Sequence, residues 1–349
     1  MPERPPLPTC ERLLELVGRM SGRPVLMLVD LVADRFITGT PKRISREAPV
    51  LILRYEGETS SPGGGANAIA NVAALGGRPL ALGVVGDDES GRGVLGALAG
   101  LGVETEAILI QPGYRTPTKT RILGGGKSSI KQQIVRFDVE DELALDEGAR
   151  RRLLAQLERW RGLARVAVLS DYGYGAVVPQ WLAAVRAAVG EGGTVLCDSR
   201  YRLGDFRGLD GATPNEEEAE ALLGLAFDDD PQRLEAGGRA IRERLGAGFV
   251  LVTRGSRGMA LFDSAGSAHL PVHGTDQVAD VTGAGDTVIG TFALALAAGA
   301  TALEAALLAD YAGGVVVMKV GTATLTADEL RSAVLRDPAP REELRWVRS

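Results

Sequence analysis

Asp280-Val281-Thr282-Gly283-Ala284-Gly285-Asp286 combines a backbone cradle for an anion with a carboxylate able to take a proton. An apolar helical run starts at once, from Thr287 through Ala298, so Gly283 and Gly285 fall where a loop becomes a helix N-terminus. Glycine there lets main-chain N–H groups around Ala284, Gly285 and Asp286 close on a phosphate without Cβ interference, and the helix dipole adds positive potential. Asp286, in the first turn, can face the same point and accept a proton from an attacking hydroxyl. Cradle and base on one ligand mean phosphoryl transfer to an alcohol. The same residues would also serve as an ordinary helix start with an acid in its first turn.

Three further segments bear groups suited to that chemistry. Thr213-Pro214-Asn215-Glu216-Glu217-Glu218 follows an apolar strand region and opens a helix, where an N-cap and acidic residues are favoured in any case. Val252–Met259 joins one strand to another through Gly255 and Gly258, which a hairpin alone would explain. Asp30, Asp34 and Asn67 offer carboxylates and a carboxamide, which fix a polyol by taking and giving hydroxyl hydrogen bonds. Asp30 would equally cap a strand end.

Two other patterns fail on inspection. Gly126-Lys127-Ser128 would need a leading glycine at position 121, which is Arg121, and no helix pattern follows. Gly91-Arg92-Gly93-Val94-Leu95-Gly96 fits a dinucleotide fingerprint by spacing but lies inside a helical pattern, so small residues packing one helix face account for it better. His269 and His273 lack metal-ligand spacing and read as structural.

The elements that must position these groups alternate along the chain. After a proline-rich arm, Cys10–Met20 has a short amphipathic helix pattern. Val25–Val29, Leu80–Val85, Val166–Leu169, Thr194–Asp198 and Phe249–Thr253 are apolar runs of strand type separated by helical patterns. That alternation predicts an α/β fold with a largely parallel sheet. Two zones, about 35–58 (Phe36–Gly39, then Val50–Tyr55) and about 106–140 (Thr118–Leu123, Gln133–Asp138), read instead as β-hairpins. They suggest a small β lid that would exclude water, which competes with any alcohol for the phosphate. An exposed lid edge tends to be paired, so a homodimer through the lid is expected.

At 349 residues, 45% hydrophobic and 24% charged, the chain is of ordinary globular composition. A net charge of −6 argues against sequence-independent nucleic-acid binding. Cys10 and Cys197 provide neither a disulfide framework nor a zinc site. No charged-then-apolar signal opens the chain, and the apolar tracts Thr287–Ala300 and Thr301–Met318 are interrupted by Gly, Glu304 and Asp310. Buried helices, no membrane contact and a cytoplasmic location are the expectations.

DxTGAGD, together with Gly63-Gly64-Gly65-Ala66-Asn67 upstream, resembles the two motifs of the ribokinase-like (PfkB) carbohydrate kinases, and matching stretches run in order from about Val25 to Thr326. The resemblance implies a ribokinase-like three-layer fold over 25–335, flanked by an N-terminal arm and helix (1–24) and a tail (336–349), and use of ATP and Mg²⁺. It implies Asp286 as base and Gly283, Ala284 and Gly285 as the cradle. Asn215 and Glu218 match the family's TPNxxE, which organises magnesium and phosphate, Glu218 directly or through water. Thr253, Gly255 and Gly258 fall near the nucleotide, with apolar residues closer to the C-terminus walling the adenine. Gly64, Asp34 and Asn67 match sugar ligands.

Within the family, the runs Arg43–Val50, Gln132–Asp138 and Ser170-Asp171-Tyr172 are most similar to kinases of D-glycero-D-manno-heptose 7-phosphate. Arg43, Lys119 and Arg136 sit in matching stretches and could meet a sugar phosphate; each could also be a solvated lid charge. Val29, Tyr174 and Ser199-Arg200 stand where those kinases have Gly, Lys and Pro-Lys, and Gly124–Ser129 looks like a short insertion. Arg200 would partly replace the lysine lost at Tyr174. These differences bear on the sugar; fructose, ribose or a nucleoside are alternative acceptors, and a non-catalytic sensor is the rival from another class. No room for a nucleotidyltransferase half is expected after the kinase pattern.

Overall fold

The computed structural model describes residues 6–126, 131–228, 230–274 and 279–348. Helix α1 (Cys10–Arg19) leads into β1 (Pro24–Val29), after which the chain leaves the main sheet as a long hairpin, β2 (Leu31–Ile44) and β3 (Leu51–Gly64). It returns through α2 (Gly65–Ala74), β4 (Arg78–Leu82), β5 (Val84–Gly86) and α3 (Glu89–Gly100). A second excursion comprises β6 (Leu109–Gln111), β7 (Thr118–Gly124) and β8 (Gln132–Val139). Then strands and helices alternate: α4 (Glu147–Arg159), β9 (Val166–Asp171), α5 (Leu182–Val189), β10 (Thr194–Ser199), β11 (Gly211–Ala212), α6 (Glu216–Leu223), α7 (Pro231–Leu245) and β12 (Phe249–Thr253). Two antiparallel strands, β13 (Met259–Phe262) and β14 (Gly266–Leu270), precede α8 (Ala284–Ala297), α9 (Ala302–Val316), α10 (Ala327–Arg336), α11 (Ala339–Glu342) and β15 (Arg345–Arg348).

The main sheet has nine strands in the order β15-β14-β13-β12-β11-β10-β9-β1-β4, parallel from β12 to β4. Residues on β1 alternate between two cores: Val25, Met27 and Val29 meet the helices α1, α2, α8, α9 and α10, while Leu26 and Leu28 meet α4, α5 and α7. Both faces are covered, which is why the parallel strands read as continuous apolar runs. The predicted α/β three-layer fold with a mostly parallel sheet is what forms.

The lid is a four-stranded sheet ordered β3-β2-β7-β8. Register places Asp34 opposite Lys119 and Lys119 opposite Asp138, with Phe36, Arg121 and Arg136 aligned in the next row but one. Directly paired residues share a face, so one lid face gathers Asp34, Lys119, Arg121 and Arg136.

Several boundaries differ from the sequence expectation. The lid strands are longer than the hairpins predicted, and β6 lies outside the lid, pairing in parallel with β5. Leu80–Val85 is divided between two strands, β4 and β5, at Gly83, where a Cβ would fall 2.8 Å from the Val29 carbonyl. In α3 only Gly91 is packed; Gly93 and Gly96 face open space, so the small-residue face is not realised. Helix α1 forms where the amphipathic pattern put it: Leu13, Leu16, Val17 and Met20 join the core, and Arg12 pairs with Glu304 at 2.8 Å. The tail supplies β15, which pairs with β14. Of the Gly124–Ser129 segment, Lys127 to Ser129 lie outside the described residues. Among the described residues no helix is long and apolar enough to cross a membrane.

Candidate active site

In an open parallel sheet, ligand sites form beyond the carboxyl ends of the strands. Here β1 ends at Asp30, β9 at Asp171-Tyr172, β10 at Asp198–Arg200 and β12 at Thr253, while β11 leads to Thr213–Asn215. A cleft at these ends is lined by Tyr172, Asp198, Arg200, Asn215, Glu218, Thr253 and the Gly283–Asp286 turn.

That turn has the predicted form. Gly283 caps α8 with φ +80°, and a Cβ on it would lie 2.4 Å from the Asn67 amide nitrogen. Glycine is thus required both by backbone geometry and by close approach. The Ala284 N–H is taken by the Val281 carbonyl at 3.2 Å, which removes it from the expected cradle. The N–H groups of Gly285 and Asp286 meet no acceptor among the described residues, and they open into the cleft with the positive end of the helix dipole behind them.

Asp286 is 3% exposed. Tyr172 donates its hydroxyl to Oδ1 at 2.5 Å, and Asn67 donates its carboxamide to Oδ2 at 3.3 Å. Burial pushes this carboxyl up to about 7, although both hydrogen bonds favour the charged form. A carboxyl balanced between its two protonation states near neutral pH is suited to taking up and releasing a proton.

Asp34 is equally buried, and Arg121 pairs with it at 2.5 Å. Burial raises its pKa even against the opposing charges of Arg121, Lys119 and Arg136. Gly63 allows this arrangement: a Cβ on it would fall 2.4 Å from Asp34 Oδ2. Gly64, with φ +51°, leaves space for the Tyr172 ring, which a Cβ would approach to 3.1 Å. Lys119 is buried, with its ammonium 5.0 Å from the centroid of that ring. Burial, then Arg200, lowers its pKa.

Three of the predicted sugar ligands have other partners. Asp30 accepts backbone N–H bonds from Tyr172, Tyr174, Ala176 and Val177 at 2.8–3.3 Å, so its carboxylate is committed to holding that loop, the strand-end role. Asn67 donates to the Gly283 carbonyl (3.2 Å) as well as to Asp286, and its own Oδ1 accepts from Asn71 at 3.2 Å. It joins the sugar side of the cleft to the anion turn. Arg136 is clamped by Asp138 at 2.5 Å toward the outer lid strand. Arg43 lies exposed far along the β2–β3 hairpin.

The TPN segment is both things at once. Asn215 and Glu218 form a reciprocal capping box at 2.8 and 2.9 Å, and both line the cleft. Beside Glu218 stands Asp198, whose pKa burial and the neighbouring charges of Glu218, Asp286 and Asp171 push well up. Tyr174 turns away from the cleft, its hydroxyl donating to Glu140 at 3.0 Å, whereas Arg200 lines it.

Thr253 also borders a second, more apolar pocket with Gly255, Gly258, Met259, Val272, Val288, Gly313 and Val317. Gly258 is required: a Cβ would lie 2.0 Å from the Leu270 carbonyl. At the pocket wall, buried Asp310 has an oxygen without a hydrogen-bond partner among the described residues. His269 bonds Glu235 at 2.5 Å and His273 bonds Asp337 at 2.6 Å, remote from the cleft.

Sequence reasoning missed Tyr172 and Asp198 in the cleft, Asp310 at the apolar pocket and Arg121 as the partner of Asp34. Tyr172 and Asp198 were visible as residues at strand ends. Arg121 needed the lid register, two places along β7 from Lys119.

A cradle and a buried carboxylate beneath a β lid mark this as a kinase of small alcohols. Residues 26–329 match the family model described as pfkB family carbohydrate kinase, and the chain belongs to that family. It is similar to the bifunctional protein HldE of Mesorhizobium japonicum, 40% identical over 336 residues, covering 95% of this chain and 66% of the relative. The bifunctional protein HldE of Azotobacter vinelandii is 42% identical over 325 residues, covering 91% and 65%. The chain thus spans about two thirds of the length of these curated relatives. Among solved structures, Escherichia coli phosphofructokinase-2 in complex with substrates and products superposes with a TM-score of 0.73 at 21% identity, covering 90% of this chain and 98% of that one. Arabidopsis thaliana ribokinase complexed with ribose and ATP gives 0.70 at 21%, covering 90% and 100%. These two establish the fold.

Proposed function

We propose that this chain transfers the γ-phosphate of ATP to O1 of D-glycero-D-manno-heptose 7-phosphate, giving the 1,7-bisphosphate. The observation that carries the reading is the position of the Asp286 carboxylate. It sits in the first turn of α8, beside two free N–H groups and within the charge field of the Asp34 lid face.

Asp286 aims the acceptor hydroxyl and takes its proton as the phosphoryl group arrives, late in the transfer. The Gly285 and Asp286 N–H groups bind the transferring oxygens, each such donor being worth about 10²–10³-fold in rate. The apolar pocket behind Thr253 and Gly258 receives the adenine, with the unpartnered Asp310 oxygen at its wall. Asp34 orients sugar hydroxyls. Lys119, Arg121, Arg136 and Arg200 surround this side with positive charge, which suits an acceptor that already bears a phosphate. Similarity of the Arg43–Val50, Gln132–Asp138 and Ser170–Tyr172 runs to heptose 7-phosphate kinases supports that sugar among phosphorylated candidates.

Asp198 and Glu218 provide a hard-oxygen pair facing the cleft whose mutual repulsion a divalent cation would relieve. Magnesium fits them, Glu218 through water, and would neutralise phosphate charge. An ion held here would take most of its ligands from phosphate and water.

Ile134, Val135, Phe137 and Tyr55 are exposed on the lid strands, and β8 leaves a free edge. Burying them in a second copy accounts for their exposure; a monomer by light scattering at assay concentration would exclude a lid-joined homodimer. The function itself is tested by a single-turnover ATP assay over a panel of heptose 7-phosphate, fructose 6-phosphate, fructose, ribose and adenosine, with and without EDTA. Transfer to heptose 7-phosphate, abolished by EDTA and restored by Mg²⁺, is expected. Transfer to another panel member replaces the acceptor, and transfer to none leaves the sensor.

A further inference from the structure

Tyr172 follows the last residue of β9, and its position is fixed before any ligand arrives. Its N–H donates to Asp30 Oδ2 at 2.8 Å, and that carboxylate also accepts from Tyr174 and Ala176, so the start of the loop is pinned to the end of β1. The ring stands between the α2 N-cap, where Gly64 leaves it space, and the ammonium of Lys119 on β7. The hydroxyl ends 2.5 Å from Asp286 Oδ1, while the Asn67 carboxamide holds Oδ2.

We infer that Tyr172 is a positioning residue for phosphoryl transfer, its phenol and the Asn67 amide gripping the Asp286 carboxylate from two sides so that one remaining lone pair is aimed at the acceptor hydroxyl. This inference rests on Asp286 being the base. An ionised carboxylate has about four acceptor sites, so two donors restrain it and still leave room for the substrate. A hydroxyl donating to a carboxylate is among the stronger hydrogen bonds. The phenol remains a donor throughout, because burial and the adjacent Asp286 charge raise its pKa well above the ordinary value. Asp30 therefore acts on the base at one remove, through the loop it pins.

The charged and titratable groups that face Asp286 are Asp34 from β2, Lys119 from β7, Tyr172 beyond β9, Asp198 and Arg200 at the end of β10, and Glu218 from α6. Only Tyr172 among them is hydrogen-bonded to it. Loss of that donor removes a bond favouring the charged carboxylate, whereas a residue that merely fills space would leave the titration alone.

The test is Tyr172→Phe, which keeps the ring, its packing and its contact with Lys119. Steady-state kinetics are run from pH 5.5 to 9.5 with ATP and the acceptor that the panel identifies, beside wild type and Asp286→Asn. Expected is a move of the acidic limb of kcat/KM upward by about one pH unit, with kcat at pH 7 down about fivefold. KM for ATP should stay within twofold, and activity should recover toward wild type at pH 9. A Tyr172→Phe profile that superimposes on wild type overturns the inference, as does an equal loss at every pH with the limb unmoved. If Asp286→Asn retains turnover, the base assignment has failed instead, and the two failures are told apart.

Discussion

Replacing Asp286 by Asn removes the proposed base and also a buried charge, and the two consequences can be measured separately. The side chain fits: the Asn carbonyl can accept from Asn67, and its amide can donate to the Tyr172 oxygen, which accepts as readily as it donates. Turnover should fall by about 10²–10⁴-fold, the usual worth of a general base, while KM for ATP and sugar stay within a few fold. Stability should rise. Burial moves the Asp286 pKa from its ordinary 3.8 to about 7. The folded state therefore holds the proton more tightly than the unfolded chain, and stability falls as pH climbs between those values. Below about 4 both states are protonated and the effect vanishes; above about 7 the folded state bears the full cost of the buried charge. At about 1.4 kcal/mol per pKa unit, the ceiling is about 4 kcal/mol, and the part lost between pH 5 and pH 8.5 is about 3 kcal/mol. Urea unfolding of ligand-free enzyme at those two pH values reads the difference directly. The Asn variant should gain on wild type by about 3 kcal/mol as pH rises, with unfolding slopes unchanged. A stability difference that is the same at both pH values would refute the buried-charge reasoning; undiminished turnover would refute the base.

Two other substitutions probe what supports this carboxylate. Asp30→Ala strands four backbone N–H groups of the 172–177 loop, and should lower stability by about 3 kcal/mol, read as a drop in Tm; an unchanged Tm would return Asp30 to the sugar site. Arg121→Ala leaves Asp34 buried without its closest cation and should raise KM for the sugar phosphate at least about tenfold while KM for ATP moves less than twofold; equal changes in both would place Arg121 outside the acceptor pocket.

The amino-acid sequence determined everything that depends on local backbone chemistry. Alternating apolar runs specified an α/β fold, and the glycines before Thr287 specified a helix N-terminus with open N–H groups, because the residues that make such a turn are adjacent in the chain. TPNxxE fixed both a capping box and the place of Glu218 for the same reason. Tertiary structure decided which of the plausible polar groups remain free for a ligand. Along the chain Asp30 was open between capping a strand end and binding sugar; the crossing of the 172–177 loop consumes it, while the lid pairs Asp34 with an arginine from a strand nearly ninety residues away. Tyr172 meets Asp286 across 114 positions. Contacts of that span are set by strand order and lid register, and a one-residue slip of β7 would turn Arg121 to the opposite face.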